Sequence, residues 1–417
     1  MPRAMLDDPN KLDPRAQVRT ALFAMVSDVV APNPTYLRAT GDNMLTVAAG
    51  ITVAVGTSVF STALTNLGAG NLDTGASFAI GMNYYVYICD PGGSGDEIYL
   101  ISLNATSPQG YNATNSRRIG GFHVGMCRRV DSMMRPINAG GVAWDTGWEA
   151  NVYLGIVPAS VWTLKHRPKC APEGMVYIGS SVWADIYLNS SDGADGLQSV
   201  YNAIPLTGTE GHNWYSFNDR ALAVEKRLMT YAEFCKMAYG SPQGNAADNL
   251  NAWSATTNTG RNPTGLVDRA VSAVGAREAV ANCWEWLDES ITNASGYTLN
   301  GTTAPTSYTY PWWDGGRGGL VNTTGTNHGP TTRTSGNTPN STQGQWNWDP
   351  DTPLGDTTDG NPDNGNIFQY FDWSLVALLA GGDWGNGARA GSRAVSCNRG
   401  PWDVGTGIGV RLACESL

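Results

Sequence analysis

The chain has 417 residues and a formal net charge of -10, with 15% charged and 41% hydrophobic residues. Phosphate recognition needs a clustered basic surface, and 26 Lys and Arg are dispersed among 36 Asp and Glu, so no nucleic-acid partner is expected. Low charge combined with 51 Gly, 15 Trp and 17 Tyr excludes the composition of a disordered chain and points to a loop-rich fold with an aromatic interior.

Residues 1–32 carry Asp7, Asp8, Lys11 and Asp13 where a secretion signal would need an apolar run, so synthesis in a bacterial cytoplasm is expected. Val18, Leu22, Phe23 and Met25 predict a short helix within 1–30, an attachment or oligomerisation segment rather than a domain. The longest apolar stretch, Met44 to Val55, is short and broken by Gly50, and no membrane insertion is expected.

Residues 33–167 read as a β-sandwich domain. Tyr84 to Cys89 is a strand ended by the turn residues Asp90-Pro91-Gly92-Gly93. Ile98 to Ile101 and Arg118 to Val124 are further strands, spaced by Gly, Asn and Pro as in sandwiches.

Arg167-Pro168 and Ala171-Pro172-Glu173-Gly174 mark a change of character, and 168–417 reads as a second domain. Met175 to Gly179 and Val182 to Leu188 predict strands around Trp183. Thr230-Tyr231-Ala232-Glu233 is a capping box. It opens a helix with Phe234, Met237 and Ala238 on one face, stopped by Gly240. A second helical stretch is predicted to end at Asn282-Cys283-Trp284-Glu285-Trp286. Residues 290–365 are rich in Gly, Thr, Asn and Ser yet hold Trp312, Trp313, Trp346 and Trp348, which predicts long ordered loops pinned by aromatic plugs.

The seven cysteines, Cys89, Cys127, Cys170, Cys235, Cys283, Cys397 and Cys414, are widely spaced and form no CxxC pair. They read as buried thiols rather than a disulfide framework or a zinc site. The exception left open is a bond from Cys414 to Cys283 or Cys397.

In the second half, Lys226-Arg227-Leu228 leading into the Tyr231 helix, Trp284-Glu285-Trp286, Gly381-Gly382-Asp383-Trp384, Ser392-Arg393-Ala394 and Gly409 to Cys414 follow one another in a recognisable order. With these markers the domain resembles the C-type lectin fold, in the branch shared with formylglycine-generating enzymes. Within that branch the chain resembles the phage tropism determinants, the variable proteins of diversity-generating retroelements. Tyr84 to Asp90, Arg117 to His123, Ser160 to Pro168 and Trp183 to Leu188 extend the likeness over roughly 40–417. The small N-terminal β-prism of those proteins has no counterpart in 1–32.

The resemblance implies an α+β and all-β architecture, an N-terminal β-sandwich followed by a C-type lectin-like domain. It implies a receptor-binding protein at a phage tail-fibre tip, part of a virion. Its partners would be a host-cell surface receptor (protein or glycan), other virion tail proteins, and two further copies in a homotrimer. It implies that codons within a variable region, 381–414, are rewritten. Carried over by position, the ligand-binding set is Asp383, Gly385, Asn386 (or Gly387), Arg389, Ser396, Asn398, Arg399, Asp403, Gly405 and Gly407. Scaffold anchors would be Trp284, Trp286, Trp384, Arg393, Trp402 and Arg411, with Gly391, Gly400, Pro401 and Gly409 also fixed.

The residues support a display surface by themselves. Trp384 and Trp402 are large for loop positions and are expected to be buried, fixing the loop paths. Between them stand small polar residues that no core requires. The proposed set has no Trp, Tyr or Phe, so weak single-site affinity is expected unless Trp384 or Trp402 is exposed.

Three other readings compete with this one. Formylglycine-generating enzymes use a close cysteine pair, whereas Cys397 and Cys414 are far apart and no Cys closely follows Gly382-Asp383-Trp384. No catalytic set forms around His123, His166, His212 or His328, so no enzyme activity and no catalytic residue are expected. A calcium-dependent lectin would need ligand motifs that Trp346-Asn347-Trp348-Asp349 barely echoes. Asp349, Asp351, Asp356, Asp359 and Asp363 are candidates for a structural Ca2+, although acidic loops are ordinarily just solvated, and no other cofactor is expected. A fixed adhesin or structural fibre component would use the same scaffold.

Overall fold

The computed structural model describes residues 29–93, 95–244, 260–292, 375–386 and 390–417, with short strands between 298 and 371 described by their pairing. The chain divides into two compact units. The first is Met1–Ser77, Tyr84–Gly121 and Trp162–Arg167; the second is Phe78–Asn83, Phe122–Val161 and Pro168–Leu417. Arg167-Pro168 is thus one of several points at which the chain passes from one unit to the other.

Among its described residues the first unit is β apart from one 3-10 turn, Ala69–Asn71. Leu37–Gly41, Met44–Val47 and Thr65–Leu67 form one antiparallel sheet, and Val29–Val30, Thr52–Val55 and Ser58–Ser61 another. Alternation decides which face is buried: Leu45 and Val47 point inward while Met44 is exposed. Of the helix predicted over 1–30, residues 1–28 lie outside those described, and Val29–Val30 is a strand paired with Thr52–Val53. The two predicted strands form and pair with each other, Tyr85–Cys89 with Ile98–Ser102, and almost every residue of the Asn83–Cys89 strand is buried. The Tyr36 hydroxyl donates to the Ile119 carbonyl (2.7 Å) and accepts from the Leu164 N–H (3.2 Å), joining three distant segments.

In the second unit, Met175–Gly179, Val182–Asp185, Leu412–Glu415 and Arg227–Leu228 form a four-stranded antiparallel sheet in that order. A five-stranded sheet runs Gln369–Phe371, Gly391–Arg399, Leu375–Gly381, Trp284–Thr292, Ile408–Val410. Trp286, Phe217, Leu228, Leu379, Ala394, Val410 and Leu412 share one core cluster. Phe234, Met237, Ile186, Tyr187 and Ala380 belong to another.

Among the described residues two α-helices serve these sheets. Tyr231–Ala238 has the predicted capping box at Thr230 and Glu233, and Gly240 follows it at φ +75°. Trp214–Ala223 was not anticipated; Asn213 caps it with Ser216 as the reciprocal partner. The stretch ending at Trp286 is a correction. Trp284–Thr292 is a strand, antiparallel to Leu375–Gly381 and parallel to Ile408–Val410. With neighbours on both sides, Trp284, Glu285 and Trp286 are all buried, and only the ion pair to Arg411, distant in sequence, accounts for a carboxylate there.

In the predicted loop region, Thr309–Trp313 pairs with Leu320–Thr324, placing Trp312 and Trp313 in a strand. Trp346, Trp348 and the candidate calcium ligands Asp349, Asp351, Asp356, Asp359 and Asp363 lie outside the described residues.

Candidate ligand-display site

The base of the site is a buried ion pair. Arg411 Nε lies 3.3 and 3.2 Å from the two carboxylate oxygens of Glu285, and Nη2 lies 3.1 Å from Oε1. The remaining N–H groups donate to backbone carbonyls: Nη1 to Asp185 (3.2 Å) and Ile186 (2.5 Å), Nη2 to Arg277 (2.6 Å). One guanidinium therefore fixes three other chain segments. Its fork of donors is what an ammonium could not supply. A second buried pair, Lys226 Nζ to Asp185 Oδ1 at 2.5 Å, sits on the same Val182–Asp185 strand.

Above this base two turns are closed mainly by their own polar groups. In the first, Gly381 and Gly382 both take left-handed φ (+90° and +91°), which lets the strand turn out of the sheet. The Asp383 N–H then donates to Asn386 Oδ1 (2.7 Å), the Asn386 N–H to the Asp383 carbonyl (3.1 Å), and the Gly385 N–H to Asp383 Oδ1 (3.0 Å). In the second turn the Gly400 N–H donates to Asp403 Oδ2 (3.0 Å) and the Asp403 N–H to the Gly400 carbonyl (2.9 Å).

The second turn is braced from outside the proposed variable region. Trp214 N–H donates to Pro401 O (3.2 Å), Gly208 N–H to Gly405 O (3.0 Å), and Trp284 N–H to Gly407 O (2.8 Å). The two turns also meet: a Cβ placed on Gly407 would come within 2.7 Å of Asp383 Oδ2.

Of the predicted ligand-binding set, Gly385 and Arg399 are exposed, while Asp383, Asn386, Asp403 and Gly405 are partly exposed. Ser396 and Gly407 are buried, a correction to their placement on the display surface. Ser396 stands in the sheet opposite Leu379, and Gly407 is closed in by Asp383 and Trp384. Arg389 lies outside the described residues, and Asn398 is placed only as a backbone position in the Gly391–Arg399 strand. Burial pushes the Asp383 carboxyl above its ordinary range, partly offset by the positive charge of Arg399.

Of the predicted anchors, Trp284, Trp286 and Arg411 are buried. Arg393 is placed only as a backbone position in its strand. Trp384 is half-buried against Val280, Ala281 and Ala390. Trp402 overturns the expectation of burial, since its side chain is 54% exposed. The indole lies flat on the turn: a Cβ on Gly400 would meet Cε2, Cζ2 and Nε1 at 2.6, 2.8 and 2.9 Å. Near-equal distances to three adjoining ring atoms mean that one ring face covers Gly400, and only glycine leaves room for it. The exposed Val404 follows two residues later.

The sequence reading missed the bracing segment Thr207–Trp214 and the exposed Tyr215 beside it. The available signal was Asn213 three residues before Ser216, a helix start directly ahead of an aromatic pair. His123 is buried between Asn83 Oδ1 (2.8 Å) and the Tyr187 hydroxyl (2.9 Å), and burial lowers its pKa to about 3, which suits a structural role.

Comparisons with known proteins agree with this architecture. Residues 35–149 match the family described as the Mtd second domain. The tail fiber receptor-binding protein of Bordetella phage BPP-1 is 29% identical over 241 residues, covering 53% of this chain and 58% of that protein. The aligned part is thus less than two thirds of that relative. Among solved structures, the M1 variant of the Major Tropism Determinant superposes with a TM-score of 0.60 at 22% identity, covering 93% of this chain and 85% of that one. The I1 variant gives 0.59 at 24% identity, covering 93% and 86%. The chain shares the C-type lectin-like fold of these tropism determinants.

Proposed function

We propose that this chain is a receptor-binding, tropism-determining protein of a phage tail fibre, and that the turns at 383–386 and 400–407 present its ligand-binding surface. The observation that carries the proposal is the placement of Trp402. A core residue would be enclosed, whereas this indole is seated on one face and open on the other, among partly exposed polar side chains. Aromatic residues in that situation are the commonest anchors of binding energy, and a polar surround completes the usual anatomy of a recognition patch.

The geometry supplies the mechanism. The Arg411–Glu285 pair and the Trp286 core hold the sheet, so the turns are presented without a large ordering cost on binding. The exposed positions Gly385 and Arg399 can be exchanged without disturbing that core, whereas exchange of Asn386 or Asp403 would also reshape the turn that each closes. Exchange that spares the core is what a surface diversified by a retroelement requires. Assembly as a homotrimer would add avidity to a modest single site. The reading is non-enzymatic and needs no cofactor; a calcium at Asp349, Asp351 and Asp356 would be structural.

The names of the relatives support the reading, since they are a receptor-binding protein and tropism determinants. The test is to sequence the codons for residues 381–414 across a grown population, together with neighbouring DNA, and to measure binding of the full chain to candidate host cells. Cell binding, with substitutions confined to the proposed positions and a nearby template copy, is expected. Binding with an invariant 3′ end leaves a fixed adhesin. Absence of cell binding across hosts that the parent phage infects removes the receptor-binding reading.

A further inference from the structure

Cys170 and Cys414 are 244 residues apart in sequence and adjacent in the fold. Pro168 bridges Ser416 in antiparallel register, and the Lys169 N–H donates to the Glu415 carbonyl at 2.9 Å. Carried two residues further, the same register sets Cys170 opposite Cys414. There the Cys170 N–H donates not to a carbonyl but to the Cys414 sulfur, at 3.3 Å. Directly opposed antiparallel residues have Cα atoms roughly 4.5–5.5 Å apart, within the span that a disulfide bridges. Both side chains are buried, and a third sulfur, Met175 Sδ, lies 3.5 Å from Cys170 Sγ.

We propose that Cys170 and Cys414 form an oxidation site: two thiols under reducing conditions, and one disulfide once the protein meets a small disulfide oxidant. The pair differs from both partners that the sequence left open for Cys414, and the proposal does not depend on what the display surface binds.

The surroundings suit the chemistry. Hydrogen bonding from Cys170, through its side chain and its N–H, holds the Cys414 thiol below its ordinary range. Cys170 itself is raised by that same bond and by burial. The buried Lys226 ammonium adds positive charge nearby. Cys414 is therefore the attacking thiolate. It attacks one sulfur of oxidised glutathione, breaking that S–S bond and releasing one glutathione thiolate. Cys170 then loses its proton to solvent and attacks the Cys414 sulfur of the mixed disulfide, expelling the second glutathione thiolate. Both leaving groups take up protons, so two electrons pass from the cysteine pair to the oxidant. Burial makes the reaction wait on local opening, so it is slow.

The bond would tie the segment before the Met175–Gly179 strand to the Leu412–Glu415 strand, three residues past Arg411. Closing so long a loop is expected to raise Tm by roughly 5–10 °C. The test incubates the full chain with oxidised glutathione overnight, counts free thiols after unfolding, and maps peptides without reduction. Loss of two of the seven thiols, a Cys170–Cys414 linked peptide, and a Tm gain reversed by dithiothreitol are expected. A Cys283→Ser variant should retain the link. Persistence of both thiols, or a link from Cys414 to Cys283 or Cys397, overturns the proposal. Mapping is done on the unmutated chain, so misfolding of a variant cannot obscure the result.

Discussion

Arg411 and Glu285 stand 126 residues apart and meet as an ion pair with both side chains sealed from solvent. A buried pair of this kind contributes little net stability when intact, yet removing one partner strands the other charge in the core. Here the stranded group would lie beneath the display turns, because Trp284–Thr292 also carries the hydrogen bond to Gly407. Arg411→Ala should therefore cost about 3–5 kcal/mol in chemical denaturation. Arg411→Lys should recover only part of that, since an ammonium cannot reach Glu285 and three carbonyls together. A loss below about 1 kcal/mol for the alanine variant would show that the pair does not organise the site.

Trp402 and Trp286 separate binding from folding. Trp402→Ala removes a half-exposed ring, and Tm should change by no more than about 2 °C. Its binding to host cells should fall at least about tenfold, as for an interface anchor. Trp286→Ala empties a buried site and should cost about 3–5 kcal/mol. Equal effects of both substitutions on stability would contradict the exposed placement of Trp402.

Gly400 seats the Trp402 ring. Gly400→Val should expel the indole while leaving the sheet unchanged, so far-ultraviolet circular dichroism should match the parent. Cell binding should drop nearly as far as for Trp402→Ala. Parental binding strength in the Gly400→Val variant would mean that the ring's position is immaterial.

Glu289 gives a pH dependence with a definite sign. Its carboxylate accepts from the Tyr231 N–H at the start of the Tyr231–Ala238 helix (2.8 and 3.0 Å), and burial pushes its pKa from 4.5 up to about 7. A raised folded-state value favours the protonated form. Its stabilising contribution is complete below about pH 4.5 and is lost as pH rises through about 7. Glu289→Gln should match the parent near pH 4.5 and exceed it above pH 8, by on the order of 2–3 kcal/mol. Parallel stability curves for the two proteins from pH 4.5 to 8 would show that this carboxyl does not titrate differently on folding.

Sequence signals are legible where the physics is local. Thr230 and Glu233 announce their helix because a capping box is satisfied within one turn, and Asp90 to Gly93 end their strand through turn chemistry. Trp284 to Trp286 reads as helix and folds as strand because its neighbours on both sides, and the Arg411 that pairs with Glu285, are distant in sequence. Nothing nearby in sequence reveals that Ile408–Val410 and Leu375–Gly381 flank it. The helix at Trp214 escapes notice because its cap, Asn213 with Ser216, and its apolar stripe, Trp214, Phe217 and Ala221, are interrupted by polar Asn218, Asp219 and Arg220 over only ten residues.

By itself the sequence determined the strands at Tyr84 to Cys89, Ile98 to Ile101 and Met175 to Gly179, the capping-box helix after Thr230, and an aromatic interior. Those follow from composition and from contacts spanning a few residues. Tertiary structure alone decided that Trp402 faces outward, that Ser396 and Gly407 are enclosed, that Arg411 finds Glu285, and that Cys414 finds Cys170. Each depends on segments brought together over long loops, where solvent exposure and charge pairing are set by neighbours that the local sequence does not specify.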